Sequence, residues 1–368
     1  MKILYTNFHP GNGGGHTTYL TYLFRNLLIS KVSVFIAAPK SSKLNQDLNQ
    51  NYPERVFNID FPSKLKEISS IVRNTKLLAK IISKCDIDIV HVNGNPDHKI
   101  VLLCKFFYRF NFLIVRTKHN SLPVKQNFFA KKLFVKYTDH LIVVSNYQYK
   151  QITDISLANK TSVIHNGVDL THYKPMQKSS KLIKQFRISE GDLVLVSVAG
   201  TALHKGWYLL VEAVSRLDQS YIDKIKIIIA GNYPSEQVVE KYVNQLNLQN
   251  NVIFTGFIND VRNLISIADI GFVLSTGVET ISFACREMMA MGVPVLVSDY
   301  TGLSENIING RDGWVVNNNS IKEIEIFIKD VVNIDQAKFS GFAYQKAQNE
   351  FGLEKFLDKT INIYYSLV

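Results

Sequence analysis

A chain of 368 residues exceeds the size at which one hydrophobic core keeps growing, so two domains of roughly 150–200 residues each are expected. With 46% hydrophobic and 20% charged residues, and no uncharged apolar run of ~18 or more, the composition is that of a globular protein without a spanning helix. The net charge of +11 is concentrated in one half, since residues 1–168 carry 23 Lys and Arg against 9 Asp and Glu while residues 169–368 carry 19 against 22; a polyanion, either nucleic acid or an anionic membrane surface, is the expected partner of the first half.

The opening residues 1–8 are too short in their apolar part for a secretory leader and run into a glycine-rich turn, as a first buried strand does, so the protein is expected in the cytoplasm. Strand patterns at 2–6, 32–38, 87–92, 112–117, 140–144 and 162–164 alternate with helical ones, the signature of a parallel sheet covered on both faces. The turn Gly11-Asn-Gly-Gly-Gly-His16 then opens a helix. Glycines there, Gly13 and Gly14 foremost, let backbone N–H groups approach a phosphate, although a tight connection alone needs them too. The dinucleotide fingerprint is broken: His16 stands where its last glycine belongs, and the second strand ends Ala37-Ala38-Pro39 without an acidic residue. A nicotinamide dehydrogenase is therefore disfavoured.

Cys85, Cys104 and Cys285 lack any C-x2-C spacing, which fits small core hydrophobes in a reducing compartment. His119 follows an apolar strand, and His91 is expected to face the sheet. Residues 125–137, drawn as a helix, place Lys125, Lys132 and Lys136 in one stripe flanked by Phe128 and Phe129, with Leu133, Phe134 and Tyr137 turned to the core. Lysines beside exposed aromatics suit a lipid headgroup layer, and residues 105–110 add to them; a solvated lysine face is the plainer use. No nucleic-acid-binding module is recognisable, so no nucleic acid partner is expected.

After a polar stretch at 174–180 the alternation restarts, with strands near 193–199, 225–230, 252–255, 270–274 and 294–298. The expected domains are 1–172 and 173–350, both Rossmann-like, followed by a closing segment 351–368. In that segment Phe356, Leu357, Ile361, Tyr364 and Tyr365 fall at helical spacing. Such a helix either caps the second domain or packs back toward the first.

The most informative stretch is Ser275-Thr-Gly-Val-Glu279-Thr-Ile-Ser-Phe-Ala-Cys-Arg-Glu287-Met-Met-Ala-Met-Gly-Val-Pro-Val295. A buried strand ends in a loop bearing Glu279, and a helix from about residue 284 carries Glu287 in its first turn before Gly292 and Pro294 stop it. Both carboxylates then lie at the carboxyl edge of a parallel sheet, where open α/β sheets bind ligands. Carboxylates accept paired hydrogen bonds from vicinal diols, and amides around 282–284 face a diphosphate. Helix capping by Glu287 and solvation of Glu279 are the plainer uses.

These residues resemble the Glu-x7-Glu motif of glycosyltransferase family 4, retaining enzymes of the GT-B fold. Further similarities lie in Val163-Ile-His-Asn-Gly-Val-Asp169 and in the run from Phe254-Thr-Gly-Phe-Ile258 to Asp269. The resemblance implies two Rossmann-like domains facing across a cleft, with the nucleotide-sugar donor mainly on the second, the acceptor on the first, and closure excluding water. It places Glu279 against the donor sugar and Glu287 on the ribose, with the backbone of Ser282 and Phe283 at the phosphates. Lys205 would pair with the diphosphate and His119 would sit at the cleft edge. Gly200 stands where the family carries an arginine, so either His204 or another cation substitutes or the phosphates are held less tightly than usual; Thr280-Ile281-Ser282 replaces the usual Gly-Phe-Gly. Asp86-Ile-Asp88 looks like the D-x-D metal site of the other transferase fold, but the family has an aspartate at this strand entry for structural reasons, and neither a metal nor a cofactor is expected.

The function implied is retaining transfer of a sugar to a glycan or lipid-linked acceptor in cell-envelope polysaccharide or lipopolysaccharide synthesis, on the inner face of the cytoplasmic membrane. Sugar-nucleotide epimerases and phosphorylases share the architecture, and the altered loops at 200–206 and 280–282 would also suit a non-catalytic sugar-nucleotide-binding scaffold. Release of free nucleotide diphosphate only with acceptor present separates transfer from the others.

Overall fold

The computed structural model describes residues 1–11, 14–28, 32–124 and 128–368, apart from the side chains of Leu65, Phe129 and Ala130. Gly13 and Lys125 lie outside the described residues. The chain forms two compact units, Met1–Gly167 with Leu353–Val368, and Val168–Gly352. The chain thus leaves the first unit five residues ahead of the boundary expected at 172, and its closing helix belongs to the first unit.

Unit 1 is a seven-stranded parallel sheet of β1 (Lys2–Thr6), β2 (Ser33–Ala38), β3 (Val56–Asn58), β4 (Ile89–Val92), β5 (Leu113–Lys118), β6 (His140–Val143) and β7 (Thr161–Val163) in the order 3-2-1-4-5-6-7. Its central strands are buried on both faces, as in β4, which is why they are nearly continuous apolar runs. The edge strand β3, three residues long, has no periodicity to announce it and was not expected. The order reverses between β1 and β4, which opens a crevice at the carboxyl ends of the strands.

A polar network buried beside this reversal ties the last helix to the sheet. On β4, His91 lies with Nδ1 2.6 Å from the Tyr364 hydroxyl and Nε2 2.7 Å from Thr117 Oγ1. Tyr5 and Tyr19 extend the network, at 3.2 Å from the Tyr364 hydroxyl and 2.9 Å from Thr117. Burial holds His91 down to about 3, so the imidazole is neutral and one ring nitrogen donates while the other accepts. The helix Leu353–Leu367 buries Phe356, Thr360, Ile363 and Tyr364, whereas Tyr365 is exposed, so its inner face is turned from the one expected. Gly167 permits the approach: a Cβ there would lie 2.8 Å from Phe356 Cβ and 3.0 Å from Leu353 Cα. The neighbouring Asp169 accepts from the Thr171 amide and hydroxyl and the His172 amide, a turn that accounts for the Asn-Gly-Val-Asp run without a ligand. Asp88, likewise, accepts from the Lys2 amide at 2.7 Å at the entry to β4.

Unit 2 repeats the plan with β8 (Leu193–Ser197), β9 (Ile225–Ile229), β10 (Val252–Phe254), β11 (Ile270–Val273), β12 (Val295–Ser298) and β13 (Gly313–Val316), all parallel, in the order 10-9-8-11-12-13. One face is packed by helices Phe283–Ala290 and Ala337–Glu350, the other by Trp207–Val214 and Ile321–Val331. The α/β, two-sheet Rossmann-like expectation is met. No helix among the described residues is long and apolar enough to cross a membrane.

Replacing Tyr364 by Phe leaves His91 Nδ1 without that partner in the core, a loss of about 1–3 kcal/mol. Hydrogen exchange of the intact protein is expected to show faster exchange of the β4 amides in Tyr364→Phe while the unit 2 strands keep their protection.

Candidate functional site

In unit 2 the strand order reverses between β8 and β11, and the loops that follow these strands meet. Gly206, at φ 71°, makes this possible, because a Cβ there would lie 1.8 Å from the Leu274 carbonyl oxygen. With the loop docked this closely, Lys205 Nζ donates to Glu279 Oε2 at 2.9 Å, the two side chains being 20% and 11% exposed. Ser275 Oγ lies 3.4 Å from the same oxygen, and the Thr280 amide donates to Oε1 at 3.2 Å. From the loop after β12, Thr301 Oγ1 donates to the Glu279 carbonyl oxygen at 2.9 Å. Glu279 is therefore fixed by three loops of one sheet edge.

The loop then turns into the helix Phe283–Ala290 through Ser282, whose φ of 47° and ψ of 110° lie outside the regions open to L residues. The backbone here takes a conformation natural to glycine, the residue that the resemblance drawn from the sequence would place at this position. Serine adds a cap, its Oγ accepting from the Cys285 amide at 3.4 Å. The helix begins at Phe283, so Glu287 lies in its second turn and not in the first as expected; it caps nothing.

Glu287 keeps part of its surface accessible. Burial pushes its carboxyl up to about 7, against an opposing hydrogen bond from Tyr173. Its neighbour Arg286 is 1% exposed, with Nε donating to Asn306 Oδ1 at 2.7 Å and its guanidinium 4.3 Å from the centre of the Phe351 ring. Asn306 Nδ2 in turn donates to the carbonyl oxygens of Ile281 at 2.8 Å and Leu303 at 2.9 Å. Arg286 thus braces the loop between the two glutamates, a role that the sequence hides because its partner lies 20 residues on.

Gly200, at φ 97°, follows β8 at the same edge. The His204 ring is exposed, and desolvation and Lys205 hold its imidazole below the usual range, so it does not replace the missing arginine's charge. A cavity of about 530 Å³ lies beside Gly200, with Tyr233 and Phe257 on its wall, 71% and 68% exposed. Neither aromatic was anticipated; both sit directly after β9 and β10, where a ligand at the strand ends would meet them.

Unit 1 presents a separate group. Asn93 Nδ2 donates to the Thr6 carbonyl at 3.0 Å, which turns its Oδ1 toward His119 Nε2 at 2.8 Å and fixes the imidazole proton on Nε2. Burial, with His16, His91, His9 and Arg116 nearby, holds His119 well below the usual imidazole range, hence neutral. Its ring lies 4.1 Å from His16 and 4.7 Å from Tyr19. Gly14 is exposed at the amino end of helix Gly15–Leu27.

Residues 178–346 match the model of the glycosyl transferases group 1, and residues 13–172 that of Glycosyltransferase Family 4. The chain belongs to the GT-B glycosyltransferases of the family 4 type. EpsD of Bacillus subtilis is 26% identical over 252 residues, which cover 65% of this chain and 66% of EpsD, just under two thirds of its length. An Escherichia coli UDP-Gal:alpha-D-GlcNAc-diphosphoundecaprenol alpha-1,3-galactosyltransferase is 24% identical over 83% of this chain and 81% of its own. Anabaena HepE, crystallised with UDP and glucose, superposes with a TM-score of 0.83 at 20% identity over 100% of both chains. Both glutamates singled out from the sequence lie in the segment that follows β11 in unit 2, Glu279 paired with Lys205 and Glu287 in no ion pair among the described residues.

Two outcomes test this geometry. Ser282→Gly relieves a strain of about 1 kcal/mol or more while losing only a few tenths with the cap, so its melting temperature should rise; Ser282→Ala keeps the strain, loses the cap and should fall. Glu287, with a folded pKa raised from 4.5 to about 7, resists ionisation that the unfolded chain allows. Its contribution is therefore full below 4.5 and is lost as pH rises toward 7. Thermal unfolding without nucleotide should find Glu287→Gln equal to the parent near pH 4.5 and more stable at pH 8.

Proposed function

We propose that the protein transfers a sugar, with retention of anomeric configuration, from a nucleotide-diphosphate sugar to a glycan or lipid-linked acceptor in cell-envelope polysaccharide or lipopolysaccharide synthesis. The observation that carries the reading is the Lys205–Glu279 pair, set beside the amino end of helix Phe283–Ala290 at the strand reversal of unit 2. A leaving nucleotide diphosphate develops negative charge, and a lysine together with a helix amino end supplies fixed positive potential for it. On this reading Lys205 and the backbone at Ser282 and Phe283 take the diphosphate, and Glu279 takes the sugar hydroxyls as Lys205 turns to phosphate. Gly200 leaves the backbone open to the nucleotide, with His204 a neutral contact at the rim. Transfer then needs no metal ion or cofactor.

Glu287 takes the ribose hydroxyls, which donate best to an ionised carboxylate. Tyr233 and Phe257 offer faces for the nucleobase. The relatives' names support this reading, one being a UDP-galactose-dependent transferase acting on a diphosphoundecaprenol-linked sugar and another having been crystallised with UDP and glucose. On the same reading neutral His119 and Gly14 in unit 1 serve the acceptor and the transferred sugar. Retention follows if the donor phosphate takes the proton of the incoming hydroxyl on the face from which it departs. The exposed Phe106, Phe107 and Phe128, with Lys132 and Lys136, suit peripheral contact with an anionic membrane on its cytoplasmic face.

Glu279→Gln should lower transfer by roughly 10²-fold or more while nucleotide binding survives. Glu287→Gln should weaken nucleotide binding itself, and in the parent protein affinity should rise with pH through about 7 as the carboxyl ionises. Calorimetry with UDP, GDP and ADP, and product analysis by NMR of the anomeric proton, read these outcomes. Unchanged turnover in Glu279→Gln, or sugar interconversion without acceptor, would remove the assignment.

A further inference from the structure

Unit 1 buries two cations that no carboxylate pairs with among the described residues. Arg116, on β5, is 4% exposed: Nη1 lies 2.9 Å from His98 Nδ1, Nη2 donates to Asn95 Oδ1 at 2.5 Å, and Nε has no partner. Phe134 covers its guanidinium at 4.0 Å. Lys118 is 7% exposed and donates to the Asn120 carbonyl oxygen at 2.5 Å and to Asn120 Oδ1 at 3.2 Å. Burial, and then Arg116, push its ammonium down to about 8. The nearest acid in this network, Asp97, is engaged elsewhere, its Oδ2 accepting from Thr6 at 2.6 Å and from the Asn93 amide at 2.8 Å. Burial raises its carboxyl to about 6, which leaves it largely ionised at neutral pH and partly offsetting Arg116, so one carboxylate faces two cations.

Burying charge costs several kcal/mol unless it is fully paired, so a fold that keeps two cations side by side with one carboxylate between them needs a reason. Here both line one cavity of about 410 Å³, with Lys99 and Lys132 also on its wall and no acidic side chain lining it. Its other wall is apolar, from Leu122, Val124 and Phe134. The lining Leu122 is itself 69% exposed, and nearby stand exposed Phe128 at 65% and Phe106 at 55%, the latter packed edge-on to the lining Tyr137. An unpartnered guanidinium N–H, a nearby ammonium and two further lysines are the donors that phosphate oxygens take, and the greasy rim suits what the phosphate carries.

We propose that this pocket binds a phosphate or diphosphate ester bearing an apolar chain, with the anion against Arg116 and Lys118 and the chain leaving past Leu122 and Phe128. Only the naming of this ligand as the acceptor rests on the transferase reading; the binding does not. The probes are farnesyl diphosphate below its micellar concentration, farnesol and inorganic pyrophosphate, titrated calorimetrically into the full chain. Farnesyl diphosphate should bind saturably and about ten-fold or more tighter than pyrophosphate, and farnesol should not bind. Lys118→Gln should weaken farnesyl diphosphate about ten-fold, whereas Lys205→Ala, which alters the other unit, should leave it unchanged.

If Lys118→Gln does not fold, the double variant Lys99→Gln, Lys132→Gln at the pocket wall carries the same expectation. The inference fails if a protein that still binds UDP or GDP takes up no farnesyl diphosphate, or if Lys205→Ala removes that binding. It fails as well if pyrophosphate binds as tightly as the ester. Farnesyl diphosphate binding that depends on Lys118, in a protein that binds no nucleotide, would uphold the pocket and sink the transferase reading.

Discussion

Lys205 and Glu279 stand 74 residues apart in the chain and 2.9 Å apart in space, and the arrangement of unit 2 turns on that meeting. It follows from topology, since β8 and β11 are neighbours whose chains depart in opposite directions, and each must be followed by a loop at the same edge. Close docking of those loops then requires a residue without a side chain where the Leu274 carbonyl intrudes, and Gly206 supplies it. A partly buried ion pair gains little net stability, because desolvation offsets most of its Coulomb energy. Its value is positional: it keeps a carboxylate and an ammonium poised at one place, and on the proposed reading an arriving diphosphate displaces the carboxylate as the lysine's partner.

The same rule gives the opposite picture in unit 1. The excess positive charge of the first half reads in sequence as a surface stripe for a polyanion, and Lys132 and Lys136 are indeed exposed. Yet Arg116 and Lys118 are turned inward, onto neutral acceptors and an aromatic face, where solvent cannot screen them. An ion pair in unit 2 and two buried cations sharing one carboxylate in unit 1 are different electrostatic problems. The first is solved within the protein, whereas the second leaves an excess of positive charge beside one cavity, which is what the proposed anion would meet.

How much of this was legible follows from length and periodicity. The buried parallel strands announced themselves because covering both faces forces continuous apolar runs, while β3 and β13 are edge strands buried at only some of their positions, and both were missed. The glutamate pair was visible from its spacing, but the turn of helix that holds Glu287 was misjudged by one, because the cap is Ser282 and its strained backbone gives no compositional signal. Over Lys132–Lys136 the chain winds as a π-turn and not at 100° per residue, yet Lys132 and Lys136 are exposed and Phe134 is buried, as the stripe drawn from the sequence had them. Arg286 and Arg116 were passed over since a lone charge in an apolar run looks like surface until its partners are seen.

Strain shows what the site is built to preserve. Val278, Ser282 and Thr301 all have φ near +50°, none is glycine, and all lie in two of the three loops that hold Glu279. Residues held in such regions cost of order 1–3 kcal/mol each, whereas a single hydrogen bond returns about 1 kcal/mol net. The Ser282 cap and the Thr301 bond to the Glu279 carbonyl oxygen therefore do not balance the strain, and the apolar side chain of Val278 forms no hydrogen bond at all. A loop selected for stability alone would carry glycine at these positions. What serine and threonine add instead is direction: Ser282 fixes where the helix starts, and Thr301 fixes the peptide that carries Glu279. The stability given up in these loops is offset by the large apolar cores on both faces of the sheet, which leaves a rigid strand edge able to hold one carboxylate in a set orientation.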